Sequence, residues 1–274
     1  MQSITDVCMA GAVRTLILFV LLAMSTAAAH AAEEELCVNR PGLDTPPCTL
    51  AAGRVTAEVG ALGWDRTRQS DQIADVLTSA DTLVRIGLGQ STELQLGFGG
   101  WNHQRARRRS TNAPSIARGI GDTSIGLRHG FGSPADAKVA IQASITLPTG
   151  SSSVSAGEWG ASLLLPMAFP LPAGFSLALT PQIDAAVNAS GGGRHLAWGS
   201  AAGITHALGH ALSLTGEVAA YRDDDPGGAS TDARLAVSLA WRAGPAWQID
   251  FELDKGISQA APDTAFKLGF ARAF

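Results

Sequence analysis

Beyond the first 31 residues, those whose types are suited to chemistry are five of the chain's six histidines, two of its three cysteines and a run of three aspartates. His103, His129, His195, His206 and His210 are the candidate bases. Hydrolysis needs a nucleophile, a base and an orienting group within hydrogen-bond reach of one another. The chain has no Gly-x-Ser-x-Gly elbow and no His-Glu-x-x-His pair, and Ser151-Ser152-Ser153 reads as loop. Asp223-Asp224-Asp225-Pro226-Gly227-Gly228 is turn chemistry. Its carboxylates suit a hard cation such as Ca²⁺, but without a framework of spaced ligands they read as surface solvation. No catalytic residue, metal ligand or cofactor is assigned on these patterns.

Cys37 and Cys48 flank Pro41, Pro46 and Pro47. No histidine lies near them, and ten intervening residues match no metal-ligand spacing. Glu34-Glu35-Leu36 lacks the small residues expected before a lipidated cysteine. In an oxidising compartment the two are expected to pair. A bridge closing so short a loop is worth about 2–3 kcal/mol in the chain-entropy model.

That compartment is indicated by the N-terminus. Arg14, an apolar run from Leu16 to Met24 and small residues ending in Ala29-His30-Ala31 form an export leader over 1–31, with cleavage expected after Ala31. The apolar run is about half of what a membrane-spanning helix needs. The leader holds one residue of each sign, Arg14 and Asp6, so its removal leaves the formal charge of −4 unchanged. A net negative chain argues against nucleic acid as the main partner. Charged residues are only 16% of the chain, and 31 glycines accompany 46% hydrophobic content. Thin strands with one apolar face fit that balance better than a thick soluble core.

Period-two alternation dominates from Arg54 onward and predicts twelve strands, over 54–64, 77–88, 92–103, 119–131, 137–148, 157–168, 175–188, 195–207, 211–222, 231–242, 246–255 and 264–274. In the fifth, Val139, Ile141, Ala143, Ile145 and Leu147 oppose Lys138, Gln142, Ser144 and Thr146. In the eleventh, Trp247, Ile249, Phe251 and Leu253 oppose Gln248, Asp250, Glu252 and Asp254. Alternation alone does not say whether the apolar face meets a core or lipid. Three features favour lipid. Connections after even strands are short and those after odd strands longer, including 104–118, as in outer-membrane barrels. Trp159, Trp198, Trp241 and Trp247 fall at strand ends in the apolar phase, where aromatic girdles sit, with Phe274 completing the set. Trp64 and Trp101 fit less well: Trp101 shares the phase of Glu93 and Gln95, so either a bulge intervenes or it lies inside the mouth. Finally, the last strand closes on Phe274, resembling the signal by which barrels are delivered to their assembly machinery. The expected architecture is an all-β, transmembrane, antiparallel up-and-down β-barrel of about twelve strands over 54–274, in the outer membrane of a Gram-negative bacterium, preceded by a periplasmic segment over 32–53.

Arg40-Pro41-Gly42 before the first strand, Gly53-Arg54 followed by Thr56-Ala57-Glu58-Val59-Gly60, the run Gly121-Asp122-Thr123-Ser124-Ile125-Gly126-Leu127-Arg128, and Leu147-Pro148-Thr149-Gly150 carry a resemblance. The chain is similar to the outer-membrane, transporter-like barrels grouped under the meta-pathway of phenol degradation. The resemblance implies passage of small, aromatic or hydrophobic molecules across the outer membrane. It supplies no catalytic residues, and the paired cysteines are a departure from the motifs that carry it.

On this reading the polar phase lines a lumen. The candidates are Asp81, Arg85, Glu93, Asp122, Arg128, Lys138, Gln142, Glu158, Gln182, Asp184, Glu217, Asp232, Arg234, Asp250, Glu252 and Lys267. Twelve strands fall between side-chain-filled and channel-forming barrels. An acidic excess favours cations or neutral solutes, unless the charges pair and plug the lumen. The segment over 33–52 either folds into the lumen as a constriction or hangs as a tether. Arg105, Arg107, Arg108, Arg109 and Arg118 fall in an outer loop, where guanidinium forks could grip lipopolysaccharide phosphates or simply be solvated. The expected function is passive uptake of a small solute through an outer-membrane channel, with membrane lipids as the other partners. The alternatives are a rim hydrolase using His103 or His195, and a structural barrel with a plugged lumen.

Overall fold

The computed structural model describes residues 36–111, 113–132 and 138–274; the expected leader lies outside them. Twelve antiparallel strands close into a barrel. In order they are Val55–Arg68; Gln72–Ser79 continued by Asp81–Gly87; Thr92–Phe98 by Trp101–Arg108; Pro114–Ile120 by Thr123–Phe131; Val139–Leu147; and Gly160–Leu164 by Met167–Pro170. Phe175–Val187, Arg194–Ala207, Leu212–Asp223, Ser230–Gly244, Trp247–Gly256 and Thr264–Ala273 follow. The twelfth strand closes on the first, from Thr56 opposite Ala273 to Arg66 opposite Thr264.

Burial is inverted relative to a water-soluble protein. The largest fully buried side chains are Arg85, Arg128, Glu58 and Glu93. Leu127, Ile183, Leu196, Ile204, Val218 and Leu235 are exposed around the outside. So large an apolar belt is stable only against lipid. Backbone groups can cross lipid only if every one is paired, and a closed barrel meets that requirement without an edge. The chain is therefore a transmembrane barrel of the outer-membrane type. Trp198 and Trp241 are half exposed at opposite ends of this belt, and Trp247 stands near Trp241. Trp159 sits just ahead of the sixth strand, in the 148–159 loop, with the Arg194 guanidinium 3.6 Å from its ring centroid.

Two expected outer loops are in fact strand. The first hairpin turns over 69–71 and the second over 109–113, so the predicted loop over 104–118 is mostly a β-ribbon. These extensions carry mixed polar sequence, because a ribbon in water needs no continuous apolar face. They begin at a level where the strands break, at Ala80, at Gly99–Gly100 and at Gly121–Asp122. Gly99 N donates to Asp122 O, and Gly121 N to Gly99 O, which stitches the level together. The break inverts the side-chain phase, as a bulge does. Thr78 lines the lumen cavity and bonds Asn102, so Leu77 and its neighbour Trp101 face outward. In the first strand a register shift between Gly60 and Leu62 likewise turns Trp64 outward, opposite Leu77. Above the break, among the described residues, Pro114–Ile120 pairs only with the third strand. Its other edge is covered by the 148–159 loop, where Ile120 N donates to Ser151 Oγ at 3.0 Å and Ser153 Oγ to Arg118 O at 2.6 Å.

An arginine at Leu127, at the middle of the belt, is expected to destabilise the refolded barrel in lipid vesicles by roughly 2–4 kcal/mol. Equilibrium unfolding in urea measures this, and an unchanged midpoint would mean that Leu127 does not face lipid.

Candidate functional site: a hairpin held in the lumen

The segment before the first strand enters the barrel and turns back, closed at its base by the Cys37–Cys48 disulfide. Leu36 and Val38 pack against Ala271 where it enters. It leaves through a turn in which Arg54 N donates to Ala51 O, beside Gly87.

What holds it is mostly its own backbone. Asn39 N and Arg40 N donate to the Glu58 carboxylate at 2.9–3.1 Å. Gly42 N donates to Glu252 at 2.9 Å, and Leu43 N and Asp44 N to Glu217 at 2.7 and 2.9 Å. Thr45 N donates to Thr180 Oγ1, and Leu50 N to Glu93. The wall arginines take the opposite groups. Arg85 donates to Cys37 O and Cys48 O, and Arg128 to Pro46 O and Cys48 O. Carboxylates thus accept the hairpin's N–H groups while guanidinium groups donate to its carbonyls, and charge-assisted bonds of this kind are the stronger class.

The wall charges also satisfy one another. Arg85 binds Glu93 through Nε and Nη2, both at 2.9 Å, and reaches Glu58 at 3.3 Å. Arg128 binds Gln142 Oε1 and the side chain of Asn39. Charges with no solvent access survive only when paired and bonded. On the far wall Lys267 bonds Glu252 at 2.6 Å and lies 3.3 Å from Asp254.

Arg40 shows how closely wall and hairpin are fitted. Its guanidinium bonds Asp250 through Nε and Nη2 at 3.2 and 3.1 Å. It lies across Gly60 and Gly269, which are paired with each other between the first and twelfth strands. A Cβ on Gly60 would come within 3.2 Å of it, and one on Gly269 would meet it closer still. Gly42, at φ +126°, has room for no side chain, since Glu217 would lie 2.8 Å from its Cβ. Beyond Arg40 a cavity of about 160 Å³ opens, lined by Asp65, Thr78, Asp81 and Lys267 among others. Burial, reinforced by the charge of Glu252, raises the Asp44 carboxyl to about 6.

Of the lumen candidates, Arg85, Glu93, Arg128, Gln142, Glu217, Asp250, Glu252 and Lys267 gather around the hairpin, and Asp81 lines the cavity. Gln182 and Asp184 bond each other, and Asp232 pairs with Arg234, away from it. Three candidates lie elsewhere. Asp122 accepts Gly150 N and Ala156 N and so anchors the 148–159 loop. Glu158 stands in that loop, half exposed, paired with Arg194 at 2.9 Å. Lys138 is exposed in the turn before the fifth strand. Strand phase cannot separate such flanking positions from the wall. Glu58, Gln95, Thr180 and Gln248 were not among the candidates although they share the lumen phase.

At the opposite rim His195 lies between two of the turn aspartates, with Nε2 2.9 Å from Asp223 and Nδ1 3.5 Å from Asp225. Asp225 also accepts Ala189 N and Gly227 N, which hold its carboxyl below the usual range. Nδ1 is bonded to Asn188 Oδ1 at 2.9 Å, so the imidazole ties the turn after Asn188 to the aspartate turn. The cluster is a clasp between two loops.

Replacing Arg85 with Met strands Glu58 and Glu93 in the lumen and is expected to cost about 3–5 kcal/mol. Removing Glu93 as well, as Leu, recovers part of that loss. Urea unfolding of the two variants checks this, and a single variant as stable as the parent contradicts the network.

A solved outer membrane channel from Pseudomonas putida F1 is 14% identical, with a TM-score of 0.66 over 86% of this chain and 99% of that one. The beta domain of a Bordetella autotransporter is 12% identical, with a TM-score of 0.50 over 81% and 99%. At these identities the likeness speaks for the fold, which hosts both a channel and an autotransporter. No curated protein matches the sequence. The family model described as "Putative MetA-pathway of phenol degradation" matches residues 38–274, from inside the hairpin to the last residue. The chain belongs to this family.

Proposed function

We propose that the chain is an outer-membrane channel for passive uptake of a small, aromatic or otherwise weakly polar solute, closed at rest by its own hairpin. The observation that carries this reading is the use of the lumen charges. They bind the backbone of a segment tethered at one rim, so opening needs no rearrangement of the wall. A structural plug would be served by apolar packing, yet here the hairpin is held mainly by charge-assisted bonds, with Leu36 and Val38 packed on Ala271. The family description supports the solute class, and the cavity beyond Arg40 a small size. A passing solute would meet Glu58, Glu93, Glu217, Asp250 and Glu252 against Arg85 and Arg128, an acidic balance that disfavours anions.

In a planar bilayer the mature chain is expected to be almost silent, and a chain lacking residues 33–50 to conduct steadily with cation preference and to be blocked by phenol. A folded deletion variant that stays silent would leave the plugged structural barrel instead. Replacing both Cys37 and Cys48 with Ala frees the hairpin ends and is expected to raise the open fraction about tenfold or more, given the loop-closure entropy removed.

The raised pKa of Asp44 sets a direction with pH. The docked hairpin binds a proton on Asp44 that the released one does not hold between about pH 4, the ordinary carboxylate value, and pH 6. Docking therefore weakens as pH rises through that window. Conductance should be higher at pH 7.5 than at pH 5, and Asp44→Asn should reduce that difference. An unchanged or reversed pH dependence in the parent would contradict this.

A further inference from the structure

The β-ribbon above the strand break has two unlike faces. Gly63 and Thr78 line the lumen cavity, Thr78 bonds Asn102, and Gly119 is backed by Ser151 and Val154. That face looks inward. The register puts Trp101 opposite Ile120, His103 opposite Arg118, Arg105 opposite Ile116 and Arg107 opposite Pro114, all on the other face. Trp101 and Ile120 are about half exposed. They continue the lipid-facing belt of Phe98, Ile125 and Leu127 upward across the break.

The arginines rise directly above that aromatic and aliphatic margin. At roughly 3.3 Å per residue along the strand, Arg118 stands about 7 Å beyond Ile120, and Arg105 and Arg107 about 13 and about 20 Å beyond Trp101. The headgroup layer of a bilayer occupies the first several ångströms outside the hydrocarbon. Asp75 lies opposite Arg105 in register but is held by Arg66 at 3.1 Å and by Trp64 Nε1 at 3.2 Å, and Asp71 at the ribbon tip is taken by Ser110. Among the described residues no carboxylate pairs with Arg105, Arg107 or Arg118. Three exposed guanidinium groups on adjacent strands thus rise above the apolar margin, and the carboxylate facing Arg105 in register, Asp75, is already engaged by Arg66.

We propose that the outward face of this ribbon is a docking surface for the phosphorylated glycolipid of the outer leaflet. Its acyl chains lie on Trp101 and Ile120, and its phosphates are held by Arg105, Arg107 and Arg118. Bidentate guanidinium–phosphate geometry supplies the selectivity. The surface is independent of the lumen hairpin, so it stands whether or not the barrel conducts.

The test titrates the refolded mature chain in detergent with deep-rough lipopolysaccharide and reads tryptophan fluorescence and native-gel mobility. The triple variant R105Q/R107Q/R118Q is expected to bind at least about tenfold more weakly, the triple Arg→Lys variant to lose less, and dephosphorylated lipid A to bind weakly to the parent. R222Q, at the same rim on the opposite side of the barrel, should bind like the parent. Heat-modifiable migration on gels verifies that each barrel is folded. Unchanged binding by the glutamine variant overturns the proposal. So does equal binding of dephosphorylated lipid, equal competition by phosphatidylglycerol, or an equal loss in R222Q.

Discussion

Everything else in this structure depends on one constraint: charges buried in a narrow lumen must each find a partner. Glu58, Arg85, Glu93 and Arg128 are withdrawn from water, where an unpaired charge costs several kcal/mol. Wall residues alone leave lone pairs and N–H donors unused. The hairpin completes the set, because a peptide backbone offers donors and acceptors in alternation. Carboxylates of the first, third, ninth and eleventh strands take its amides, and arginines of the second and fourth take its carbonyls.

The same inversion that makes the interior polar makes the exterior apolar, and the two are coupled through strand phase. Each strand shows one face to lipid and one to the hairpin, so a single-residue slip would put charge into the membrane. The protein changes phase only where lipid no longer constrains it. The register shift at Gly60/Leu62 and the breaks at Ala80 and at Gly99–Gly100 lie toward the outer rim. Beyond them the ribbon is free to carry its own pattern, apolar at the base and basic above.

This explains what the sequence disclosed and what it hid. Strand number, closure and the lumen phase were legible because period-two alternation is strong in strands such as Val139–Leu147 and Trp247–Gly256. The inserted hairpin was one of two open readings, since backbone amides bonded to Glu58 or Glu217 leave no side-chain signature in residues 39–50. Trp101 was ambiguous because a Gly-Gly pair can end a strand or turn its phase, and only the neighbouring register decides. The ribbon was read as loop because its alternation mixes arginine with isoleucine. Asp122 and Glu158 had the right residue type but serve the 148–159 loop instead of the lumen.

Wall charges hold the hairpin backbone inside the lumen, and amide hydrogen exchange reads that directly. In the refolded chain in lipid vesicles, the amides of Asn39, Arg40, Gly42, Leu43, Asp44 and Leu50 should exchange at least about 10³-fold more slowly than in a free peptide, and as one group, as a cooperative opening unit does. Exchange at the free-peptide rate for these amides, with the barrel strands still protected, would contradict it.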